Sequence, residues 1–123
     1  MAVVVPTIEY QIDGHANLAR ITWTPLANGD SGSPVEMGDW ADRTVQITGT
    51  FGAGGSVNME GSNYKASETP VYAILTDPQG NAVTKTTAAI EVFEESPLII
   101  RPNVTAGDGT TAIQVRMVVR RNR

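Results

Sequence analysis

Thr44-Val-Gln-Ile-Thr-Gly-Thr-Phe-Gly-Ala-Gly-Gly-Ser-Val-Asn-Met-Glu-Gly61 decides how this chain is read, because two alternating segments flank a cluster of glycines. In an extended segment Val45, Ile47, Gly49 and Phe51 fall on one face, and Val57, Met59 and Gly61 continue the alternation beyond the turn. The pattern predicts a β-hairpin. A second unit of the same kind lies near the C-terminus: residues 98–105 run into Ala106-Gly-Asp-Gly109, and the alternation resumes over 111–119.

Working outward, period-two segments recur over 3–5, 18–24, 71–75, 82–86 and 91–93, with turn residues between them. Asp77-Pro-Gln-Gly80 is a turn with a mechanism, since Pro78 presets φ and Gly80 accepts φ > 0. The longest irregular stretch holds Pro25, Asn28-Gly29-Asp30 and Gly32-Ser-Pro34, and residues 33–41 accommodate one short helical turn. Elsewhere no helical periodicity, internal repeat, low-complexity region or linker interrupts the pattern. At 123 residues the chain is one domain, 1–123. The expected fold is all-β, a single antiparallel β-sandwich, Ig-like or jelly-roll-like, with hairpins and an extended N-terminal arm. Residues 1–10 are read as that arm or as an edge strand, and 116–123 as a basic C-terminal end.

The sequence contains no cysteine, which removes disulfides and thiolate metal sites and fits assembly in a reducing cytoplasm. The apolar start Met1-Ala-Val-Val-Val-Pro6 lacks the basic region and long apolar run of a signal peptide, and no segment approaches a membrane span. Val3, Val4 and Val5 are therefore expected to form an N-terminal strand or arm that docks on something. Charge is uneven: residues 1–115 hold Arg20, Arg43, Lys65, Lys85 and Arg101 with all 13 acidic side chains, while Arg116, Arg120, Arg121 and Arg123 close the chain. A basic end on an acidic body can contact nucleic acid or an acidic protein surface; equally, Arg116 is a solvent-facing strand residue and the last three arginines are a solvated terminus. With a pI near 4.8 and no interleaved aromatics, nucleic acid is not expected as the main partner.

Motifs that suggest chemistry have simpler readings. Gly29-Asp-Ser-Gly-Ser-Pro34 looks like the nucleophile signature of chymotrypsin-like proteases, yet only 28 residues precede it, too few to position a histidine base and an orienting aspartate. A loop in which Asp30 or Ser31 bonds nearby backbone N–H groups explains it. His15 reads as a surface loop residue. Asp39, Asp42, Glu94 and Glu95 lack calcium-loop spacing, no particular carboxylate couple points to glycoside hydrolysis, and the glycines of residues 51–55 have no following helix to cradle a phosphate. The expectation is no enzyme, no metal, no cofactor and no small-molecule substrate. Trp23 shares a face with Ile21 and belongs to the core. Trp40 caps an open end of the sandwich or anchors an intersubunit contact.

A resemblance extends these readings. Residues 21–35 (Ile-Thr-Trp-Thr-Pro-Leu-Ala-Asn-Gly-Asp-Ser-Gly-Ser-Pro-Val), 41–55, Glu60-Gly-Ser-Asn63, 75–81 and 100–111 together resemble a family of small tailed-phage virion proteins encoded among head genes. The similarity covers most of 18–120 and rests on turn-and-strand patterns. The chain departs from the family after Asn63, where Tyr64-Lys-Ala-Ser-Glu-Thr-Pro70 replaces a shorter turn. The resemblance implies a β-sandwich decoration or cement protein on the capsid surface of the virion, assembled in the host cytoplasm. Its implied partners are the major capsid protein and further copies of itself, as a homo-oligomer or lattice-bound, with no membrane. The expected contacts are Val3, Val4, Val5, Trp40, Tyr64, Arg116, Arg120, Arg121 and Arg123. Two other roles fit the same residues: a tail, neck or fibre-associated sandwich, and a carbohydrate-binding module that uses Trp40 or Tyr64 as a stacking platform.

Overall fold

The computed structural model describes residues 1–36 and 38–121. Its strands are β1 (Val3–Val4), β2 (Thr7–Tyr10), β3 (Leu18–Leu26), β4 (Ser31–Gly32), β5 (Val35–Glu36), β6 (Ala41–Thr50), β7 (Ser56–Ser62), β8 (Ala73–Ile74), β9 (Thr84–Lys85), β10 (Ala89–Val92), β11 (Ile99–Ala106) and β12 (Ala112–Arg120). One sheet runs β1-β4-β11-β7-β8, with β5 also on β11 and β9 also on β7; the other runs β10-β6-β12-β3-β2. Every pairing is antiparallel except β1 with β4.

The alternation seen in the sequence is the alternation of burial. Ile21 and Trp23 on β3, Val45 and Ile47 on β6, and Ile113, Val115, Met117 and Val119 on β12 point inward from one sheet. Val57 and Met59 on β7, with Ile100 and Val104 on β11, meet them from the other. Each such side chain removed from water contributes about 1.5–3 kcal/mol, which makes the space between the sheets the main source of stability. Trp23 completes its burial by donating its indole N–H to the Ser33 carbonyl at 2.9 Å.

The two expected hairpins are not hairpins. β6 pairs with β10 and β12, whereas β7 pairs with β8, β9 and β11 in the opposite sheet. The glycine cluster therefore carries the chain across the core, and residues 107–111 do the same between β11 and β12. A third crossing joins β3 to β4. Because β3, β12 and β6 are neighbours in one sheet and β4, β11 and β7 in the other, the three arches lie side by side at one end. This winding of paired strands over a shared core is that of a jelly roll. Gly55 is required at its arch because a Cβ there would lie 1.9 Å from the Phe51 carbonyl oxygen. Gly52 has φ 74°, and a Cβ on it would strike the Asp108 carboxylate of the adjacent arch.

Three further differences concern short elements. β2, β4 and β5 occupy stretches without sustained alternation, and β5 stands where a short helical turn was expected. Among the described residues the one helical element is a short 3-10 turn at Ile12–Gly14, in which Asp13 has a left-handed φ of 50°. At residues 77–80 the expected turn forms, with Gly80 at φ 86° and the Asp77 carboxylate accepting from Gln79 and Asn81 N–H, each at 3.0 Å.

Candidate functional site

The first ten residues form one side of the sandwich. β1 is the outermost strand of its sheet and β2 the outermost strand of the other, so the two sheets end side by side in consecutive strands joined through Val5 and Pro6. Within residues 1–10, Val3–Val4 and Thr7–Tyr10 are the edge strands of the two sheets. The N-terminal segment is tied down by Ser31 N–H to the Ala2 carbonyl at 3.0 Å and Ser33 N–H to the Val4 carbonyl at 2.8 Å. Asp30, itself buried, accepts from Ala2 N–H on one oxygen and Ala27 N–H on the other, both at 2.9 Å. The serine-protease-like segment thus serves as a clasp for the N-terminal strand. His15 precedes β3, whereas Ser31 lies beyond it on β4 in the opposite sheet.

Of the three valines, Val4 packs against the core, while Val3 and Val5 are 66% and 78% exposed. Ile8 and Tyr10 continue the apolar edge along β2, whose four residues are all exposed. β2 uses one side of its backbone to pair with β3; its other side and that of β1 face away from the sandwich. Such an edge is a ready template for another strand.

Trp40 lies at the end of this side opposite the arches. It is buried and belongs to the core cluster, in agreement with the capping role. The Tyr10 ring sits 6.3 Å from it at 40°, and the Arg121 guanidinium stands 4.7 Å from its ring centroid. Arg121 also donates its backbone N–H to the Asn17 carbonyl at 3.0 Å. With its ring so covered, Trp40 does not offer the open stacking surface that a sugar needs. Tyr64 is 45% exposed in the loop after β7, remote in the sheet order from β1 and β2. Arg116 and Arg120 project from the outer face of β12, in the middle of the five-stranded sheet. Arg123 lies outside the described residues.

The structure therefore gathers Val3, Val5, Trp40 and Arg121 along one side, leaves Tyr64 apart, and moves Arg116 and Arg120 to a sheet face. Ile8 and Tyr10 were missed by sequence reading, although the alternation Ile8-Glu9-Tyr10 after Pro6 carries a weak strand signal.

Other polar groups are engaged in holding the fold. Glu60 on β7 pairs with Arg101 at 3.0 Å and accepts from Asn103 at 3.1 Å, and Arg101 stacks 3.8 Å above the Tyr72 ring. Burial pushes the Tyr72 hydroxyl pKa up. Glu95 is held below the usual carboxylate range by the Thr76 hydroxyl and then by its backbone N–H. No group of three or more metal-ligating side chains comes together among the described residues.

No protein-family model matches the chain, and no curated protein does. Among solved structures it is similar to the SPBc2 prophage-derived protein YomS, at 13% identity and a TM-score of 0.60, over 83% of this chain and 93% of that one. Peruvianin-I, a cysteine peptidase from Thevetia peruviana latex, aligns at 11% identity and a TM-score of 0.45, over 94% of this chain and 61% of the peptidase. The likeness to YomS is one of fold: two β-sheets packed as a sandwich.

Proposed function

We propose that this chain is a bacteriophage virion structural protein that decorates the outside of the assembled head and reinforces contacts between capsomers. The observation that carries the reading is the paired sheet edge of residues 3–10, where both sheets end beside exposed Val3, Val5, Ile8 and Tyr10. A rigid body that ends in two apolar strand edges suits strand addition to a neighbouring protein, with backbone hydrogen bonds for affinity and alternate side chains for specificity. The resemblance of residues 18–120 to head-gene virion proteins supports the same reading, as does the fold likeness to a prophage-derived protein. The partner is the major capsid protein, and the site of action is the capsid surface.

Electron microscopy of particles assembled with and without this protein tests the proposal. Added density over capsomer contacts, reduced when Val5 is replaced by Asp, is the expected result. Density confined to the tail or neck would assign the chain to the tail-associated alternative.

A further inference from the structure

The outer face of the five-stranded sheet holds a second surface, independent of the N-terminal edge. Strand register sets its rows. In one, Val92, Thr44, Val118, Arg20 and Glu9 stand opposite one another across β10, β6, β12, β3 and β2; in the next, Ile90, Gln46, Arg116, Thr22 and Thr7 do so. All point away from the core, because their strand neighbours Val45, Ile47, Val115, Met117, Ala19 and Ile21 are buried. Ile90 and Val92 are 63% and 40% exposed. Arg20, Thr44, Gln46, Ile90, Arg116 and Val118 enclose a shallow depression.

Both arginines are held in place. Arg20 donates to Glu9 from Nε at 2.9 Å and pairs with it through Nη2 at 2.8 Å. With the Gln114 amide oxygen turned toward it, Arg116 donates from Nε and Nη2 at 2.8 and 3.1 Å. Arg120 alternates outward on the same strand. Of the chain's 9 basic and 13 acidic side chains, this face carries three arginines and Glu9, so the rest of the molecule is strongly acidic. A positive surface with an aliphatic centre, opposed by a negative body, orients the molecule in the field of an acidic partner.

We infer that this face docks an acidic protein surface of the head shell, with an aliphatic side chain of the shell seated between Arg20, Ile90, Arg116 and Val118. The inference rests on the decoration reading and adds the docking face and the partner's chemistry. Phosphate backbones are disfavoured, since the acidic body repels a long polyanion that extends beyond three arginines.

Heads assembled without this protein, titrated with the full chain, provide the test. Arg116→Glu and Ile90→Asp are each expected to weaken occupancy about tenfold or more, with circular dichroism unchanged. Lys65→Glu alters net charge equally from an exposed loop position and is expected to bind as the parent does. The Arg116→Glu variant should also lose part of the parent's salt dependence. If the parent binds and both face variants bind equally well, the docking face is wrong and the decoration reading stands. If the parent leaves heads bare, the decoration reading falls and this inference with it. Arg116-dependent self-association, or Arg116-dependent binding to duplex DNA, would overturn the inference by assigning the face to another occupant.

Discussion

Asp108, in the turn before β12, accepts the Ala53 backbone N–H across the gap between two arches at 2.9 Å. It also accepts from Thr110 N–H at 2.9 Å and the Thr110 hydroxyl at 2.6 Å, while the Thr111 hydroxyl donates to the Phe51 carbonyl at 2.8 Å. Asn28 on the third arch reaches the Gly107 carbonyl at 3.3 Å. The end of the sandwich is thus tied together by side chains whose partners lie 55 to 79 residues away in sequence.

The Asp108 carboxyl has its pKa lowered from 3.8 to about 2, first by the Thr110 hydroxyl and then by the Ala53 and Thr110 N–H groups. A depressed native pKa contributes stability that is complete above the unfolded value and disappears as pH falls through the folded one. Asp108→Ala should therefore melt below the parent at pH 7, and the difference should narrow between pH 4 and pH 2. Thermal unfolding of both proteins across that range is the measurement, and a constant difference would rule out the charge as its source.

Ile113 and Ile90 are the same residue on opposite faces of one sheet, with exposures of 0% and 63%. Ile113→Ala should cost about 2–5 kcal/mol, as buried large-to-small changes do. Ile90→Ala should stay within about 0.5 kcal/mol. Urea unfolding of the two variants checks the assignment of faces, and similar costs would contradict it.

Asp30 fixes the N-terminal strand through Ala2 N–H, and Ser31 and Ser33 N–H then pair with that strand. Asp30→Ala leaves Ala2 and Ala27 N–H without this acceptor and should cost about 1–3 kcal/mol. Amide exchange at Ser31 and Ser33 should accelerate more than at Val115 in the core. Uniform acceleration would mean that the clasp stabilises the whole fold rather than the edge.

Arg121 over Trp40 contributes about 0.5–1 kcal/mol, the range of exposed cation–π contacts. In a Trp23→Phe background Trp40 is the sole tryptophan and reports its own environment. Arg121→Ser should shift its emission to the red as the ring gains water. Unchanged emission would show that Tyr10 and the core alone cover it.

Much of the architecture was legible in residues 44–61 and 98–119. Alternation there identified the long strands, the inward rows of Val45, Ile47, Val57 and Met59, and an all-β sandwich, because burial on one face of a strand writes a period of two into the sequence. Trp23 and the turn at 77–80 were legible for equally local reasons. What the sequence left open was which strands pair. The same alternation serves a strand whose neighbour follows a hairpin and one whose partner faces it across the core, so Gly52 and Gly55 signalled a tight turn without revealing that it crosses between sheets. β4 and β5 escaped notice, and β2 was legible only within an arm or edge strand over 1–10, because all three are short and held by neighbouring strands rather than by a buried row of their own. The two surfaces proposed for docking were hidden for the same reason. Val3 and Tyr10 share a side, and Arg20, Ile90, Arg116 and Val118 share a depression, only because sheet order and register place side by side residues that are far apart along the chain.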